Sequence, residues 1–81
     1  MTHQDHFLLK VQMGKGGLNI GLQVLANNTI DDIKAKIMKQ QYIQPDTYTL
    51  VWKGKPLLEG FRPLAEYHVD TDELKIMHMV I

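Results

Sequence analysis

The chain contains no cysteine, which excludes disulfides, a thiol nucleophile and any cysteine-ligated zinc. Charge of either sign is not in excess: Lys plus Arg and Asp plus Glu each number 9, for a formal net charge of zero with neutral His. No overall electrostatic footprint for nucleic acid or an anionic lipid surface follows from that balance, so a binding site has to be a patch and not a field. Long apolar runs are also missing. No segment approaches the roughly 20 apolar residues of a membrane span, and the opening MTHQDH is not a cationic start followed by an apolar stretch. The GKGG of Gly14 to Gly17 lacks the spaced Gly, Lys and Ser or Thr of a phosphate loop and leads into no helix pattern, so it reads as a hairpin turn.

At 81 residues, with 44% of them apolar and 22% charged, the chain fits one small globular domain that buries roughly 60 to 65% of its unfolded surface. Residues 1–6 read as a disordered tail and residues 7–81 as the domain, and the absence of cysteine fits an intracellular, cytoplasmic or nuclear protein. From Phe7 to Met13, apolar Phe7, Leu9, Val11 and Met13 alternate with Leu8, Lys10 and Gln12, the period of a strand with one buried face. Leu18, Ile20, Leu22 and Val24 repeat the alternation after the glycine turn, which predicts a hairpin.

Thr29 is placed to cap a helix, with Asp31 and Asp32 at its positive end. Ile30, Ile33 and Ile37 share one helical face, and the helix is expected to end near Gln41, ahead of Pro45. Tyr48 to Trp52 reads as a third strand with Leu50 and Trp52 inward and Thr49 and Val51 outward. Gly54 turns the chain, Leu57 and Leu58 are expected in a short fourth strand, and Pro63 begins a helical turn through Tyr67. Leu74 to Val80 is expected as the last strand, with Leu74 and Ile76 inward and Lys75, Met77 and Met79 outward. A hairpin, one helix and then further strands give an α+β domain in which the helix packs on a mixed sheet, with the first and last strands parallel.

The segment from Thr29 to Gly60, TIDDIKAKI followed by QPDTYTLVWKGKPLLEG, closely resembles ubiquitin, and the likeness extends over nearly the whole chain from Phe7. The resemblance implies a β-grasp fold of four to five strands on one helix, with Tyr67 bonding into the loop near Glu59. It also implies an apolar recognition patch. At the family's patch positions this reading places Val51 for the central isoleucine, Met77 for the last-strand valine and Lys75 for the last-strand histidine, with Gly54, Lys55 and Met79 beside them. The hairpin leucine of that patch has no equivalent in Gly14 to Gly17.

The expected function is therefore that of a non-conjugated ubiquitin-like interaction module, part of a longer protein and itself monomeric. Expected partners are a ubiquitin-associated domain, a ubiquitin-interacting helix or a proteasome subunit, with no nucleic acid and no membrane. Two features weigh against a covalent modifier: the terminal residues are Val80 and Ile81 and not Gly-Gly, and Thr49 and Met79 replace the family's arginines on the third and last strands. A modifier truncated before Gly-Gly is the alternative, as is a GTPase-binding β-grasp domain, although Leu18 to Leu25 has none of the basic residues that such an edge needs. Lys34, Lys36 and Lys55 match lysines used in ubiquitin chains, but read as solvated surface or, for Lys34, as a helix contact. No enzyme is expected and no cofactor or metal: His3, His6, His68 and His78 form no catalytic or ligand constellation, and His78 is read as a structural histidine at the edge of the core.

Overall fold

A computed structural model of the chain describes residues 6–14 and 17–81. The expected tail apart from His6, and Lys15 and Gly16 of the glycine turn, lie outside the described residues. Strands β1 (Phe7–Met13) and β2 (Leu18–Val24) pair antiparallel, Leu9 opposite Leu22 and Val11 opposite Ile20. Those four side chains are buried, so the period-2 pattern resolves into one core face and one outer face.

Helix α1 (Ile30–Gln41) follows, and each of its first free N–H groups finds an acceptor. Ile30 N donates to Arg62 O at 3.1 Å and Asp31 N to Gly60 O at 2.9 Å. Asp32 N donates to Thr29 Oγ1 at 3.2 Å while Thr29 N donates back to the Asp32 carboxylate at 2.9 Å, a reciprocal capping box. Gly60 is held against this helix start so closely that a Cβ there would run into the Asp31 carboxylate. At the far end Tyr42 adopts the left-handed conformation (φ 59°) and its N–H returns to Met38 O at 2.9 Å. Ile30, Ile33 and Ile37 are fully buried against the sheet, as their spacing predicts.

After a 3-10 turn at Pro45–Thr47 come β3 (Thr49–Trp52), the two-residue β4 (Lys55–Pro56), a 3-10 turn at Leu64–Tyr67 and β5 (Ile76–Val80). The expected fourth strand at Leu57 and Leu58 is corrected to Lys55–Pro56, because Gly54 (φ 82°) turns the chain tightly enough to pair Trp52 with Lys55 at once. Leu57 N still donates to Leu50 O at 2.8 Å, and Leu57 is buried whereas Leu58 is 76% exposed. The five strands lie in the order β2-β1-β5-β3-β4, with β1 and β5 parallel in the centre and every other pair antiparallel. One helix on one face of this mixed sheet is an α+β β-grasp fold. Among the described residues no helix is long and apolar enough to cross a membrane.

Tyr67 contributes differently from expectation. Its carbonyl accepts Trp52 Nε1 at 3.1 Å, and its ring lies 5.3 Å from Lys55 Nζ; these contacts, not a hydroxyl bond near Glu59, are what the described residues show for it. Lys34 is the partly buried helix contact that its pattern suggested, with Nζ 5.5 Å above the Tyr48 ring. The Tyr48 hydroxyl beneath it is buried without a hydrogen-bond partner among the described residues, and burial raises its pKa.

Candidate functional site

The position of β5 decides what the outer face offers. Val11 pairs with Met77 and Met13 with Met79 in the parallel ladder, and Leu50 pairs with Met79 across β3. Val11 and Leu50 are core residues, so Met77 and Met79 must point the same way; they are 0% and 2% exposed. The expected inward Leu74 and outward Met77 and Met79 are thus exchanged. Leu74 is 74% exposed in the loop ahead of the strand, Ile76 is half-buried on the outer side, and His78 is an exposed outward residue and not a core-edge one. The error has a physical source: both parities of LKIMHMVI carry apolar residues, so alternation alone leaves the phase of this strand open.

Lys75 is likewise displaced from the expected patch. It sits ahead of β5 with φ 48°, its Nζ donates to Asp72 O at 2.6 Å, and the same atom lies 5.8 Å from the Phe7 ring centroid. Asp72 gathers this loop. Lys53 Nζ pairs with its carboxylate, and Leu74 N donates to Oδ1 at 3.0 Å. The Lys53 hydrogen bond first, and the Leu74 N–H after it, hold the Asp72 carboxyl below its ordinary range.

Val51 does face outward, and the structure places His78 as its cross-strand partner, with Gln12 level with His78 on the other side. Val80, 53% exposed, is the next outward residue along β5. Val51, His78 and Val80, with Gln12, Gly14, Gly54, the exposed Ile81 and an edge of Met79, line a shallow groove of about 550 Å³. Gly54 forms the exposed tip of the adjoining turn, and Lys55 beyond it is exposed. Of the six residues expected at the site, Val51 and Gly54 therefore fall together on the groove, whereas Lys55 pairs with the inward-facing Trp52 and reaches the Tyr67 ring on the opposite face of the sheet. Met77 lies beneath it in the core, Met79 borders the groove while its side chain is buried, and Lys75 is at the other end of the strand. Burial also removes Met79 as the replacement for a surface arginine, leaving only Thr49 in that comparison.

Sequence reasoning missed His78 and Val80. The available signal was the order Met77-His78-Met79-Val80, in which a histidine and a valine stand two apart between apolar residues, matching a last-strand histidine and valine directly once three more loop residues are allowed before the strand. The electrostatic setting is uneven although the chain is neutral. None of the five strands carries an aspartate or glutamate, while Lys10 and His78 lie on their outer face. Apolar contact area with a weakly basic surround is suited to docking a protein surface; among the described residues nothing in this groove brings a nucleophile and a base together. In comparison with known proteins, the model of the family described as "Ubiquitin family" matches residues 7–81.

Proposed function

The chain belongs to the ubiquitin family, and from that premise we propose that this domain works by being bound, as a non-conjugated recognition module within the ubiquitin–proteasome pathway. The observation that carries the reading is the meeting of Val51, His78 and Val80 on the outer sheet face, in a groove that Gly54 and Ile81 extend. Three side chains of modest size on rigid, paired strands offer a pre-formed apolar surface, which limits the ordering cost of binding. The partner that fits is a small helical receptor element: a ubiquitin-associated domain, a ubiquitin-interacting helix or a helical segment of a proteasome subunit. An apolar helix face can sit on Val51 and Val80 while a polar group meets the His78 imidazole. Thr49, where the family carries a third-strand arginine read by activating enzymes, supports recognition over attachment.

Calorimetric titration of the domain with isolated ubiquitin-associated domains and ubiquitin-interacting peptides tests the proposal. Saturable binding that Val51→Ser weakens by roughly tenfold is expected, the scale of losing one buried aliphatic side chain from a contact. Absence of binding across such a panel, or binding indifferent to Val51→Ser, would contradict it.

A further inference from the structure

We infer that the outer sheet face has a second anchor, Leu8 with Ile76, and that the partner is an acidic amphipathic helix of about three turns laid diagonally across β1, β5 and β3 from Leu8 to Val51. The inference rests on the recognition reading above and specifies the chemistry of the partner.

Leu8 is 47% exposed on a strand whose inward residues Leu9 and Val11 are fully buried. It does not stand upright into solvent. A Cβ built on Gly21 would lie 3.0 Å from Leu8 Cδ1, so the side chain lies across the neighbouring strand in the space that Gly21 leaves open. On the other side of β1, Lys10 pairs with Ile76, whose half-buried side chain is the first outward residue of β5. Leu8 and Ile76 are therefore diagonal neighbours, within reach of one ligand side chain. Further along, Gln12, His78 and Val51 form one row across β1, β5 and β3. Apolar contacts thus stand at two ends of the face, with Lys10 and His78 between them.

The spacing selects the ligand. Leu8 and Val51 are four residues apart along the strands and two strands apart across them, about 13 Å by 10 Å, or about 16 Å on the diagonal. An α-helix covers that distance in about 11 residues, and 11 residues bring a side chain back to the same helical face after three turns. The middle of that helix lies over Ile76, with Lys10 and His78 on either side of it, on a sheet without a single strand carboxylate. Carboxylates on the helix complement this stretch. Other occupants fit less well. An added strand needs free backbone groups, which sheet edges have and this face does not, and a second copy would bring the same basic face against itself.

The probe is a synthetic helical peptide of about 15 residues with leucines 11 positions apart and glutamates between them, titrated by calorimetry against the wild-type domain and three surface variants. Leu8→Ser is expected to weaken binding about fivefold to tenfold, Lys10→Glu to weaken it and remove most of its salt dependence, and Val51→Ser to weaken it at the other anchor. Changing the peptide leucine that meets Leu8 to serine should abolish the effect of Leu8→Ser while leaving that of Val51→Ser intact. If Val51→Ser weakens binding and Leu8→Ser does not, the second anchor is wrong and the recognition reading stands. Indifference to both variants rejects the recognition reading itself. A dimer, or adhesion to phosphatidylserine vesicles, that Leu8→Ser abolishes in the absence of any peptide binding would assign the face to another occupant and overturn the inference. Preserved amide dispersion in each variant confirms that the fold is unchanged.

Discussion

Val51 on β3 and His78 on β5 are direct cross-strand partners on the outer face of the sheet, while Met77 and Met79 on either side of His78 are sealed in the core. One strand therefore supplies both the floor of the domain and part of its recognition surface, and its phase determines which residues do which.

That phase is open to a stability test. Met77→Ala should destabilise the domain by about 2 to 5 kcal/mol, because it empties space among Val11, Leu50 and their neighbours. Val80→Ser should change stability by about 0.5 kcal/mol or less. Urea denaturation of the two variants checks the order; a strand of opposite phase would reverse it.

Tyr48 is 6% exposed, and its buried hydroxyl has no partner among the described residues. Tyr48→Phe removes a desolvated polar group without altering the ring beneath Lys34. An increase in unfolding free energy of about 1 kcal/mol is expected. A loss of similar size would show that the hydroxyl is satisfied in solution.

Asp72 gives stability a defined dependence on acid. Its folded pKa lies below the ordinary value of 3.8, chiefly through Lys53. The stabilisation is thus present above that ordinary value and is lost as pH falls through the lower folded value. Asp72→Asn should lower stability at neutral pH and flatten the decline in stability below about pH 4. Denaturant midpoints of both proteins across that range would contradict the assignment if their acid limbs ran parallel.

Thr29 caps α1 through a reciprocal pair with Asp32. Thr29→Ala should cost about 1 kcal/mol, as measured by thermal or urea unfolding. A change near zero would mean that the strap of Gly60 and Arg62 carbonyls holds the helix start unaided.

The fold was largely legible because its local signals agree with one another. Ile30, Ile33 and Ile37 mark a helix face, Thr29 and Asp32 its start, and the alternation through Phe7–Met13 and Leu18–Val24 a hairpin, each independently of long-range contacts. Val51 was also legible, since Leu50 and Trp52 fix its side of β3. Where two readings were locally equivalent, the sequence could not choose. Leu74 and Ile76 are as apolar as Met77 and Met79, and only pairing with Val11 and Leu50, far away in the chain, selects the methionines for the core. The Leu8 anchor is hidden for the same reason: its exposure and its reach across Gly21 depend on the β1–β2 register. Charge segregation shows only after folding too, because counting 9 charges of each sign gives zero until the strands are seen to carry no acid.

The most direct test of the central claim is a residue-resolved NMR titration of the isotopically labelled domain with a ubiquitin-associated domain. Shift changes centred on Val51, Gly54, His78 and Val80 are expected, with the amides of Met77 and Met79 responding only through their neighbours. Changes confined to the solvent face of α1 or to the β2 edge, with Val51, His78 and Val80 unmoved, would contradict that claim.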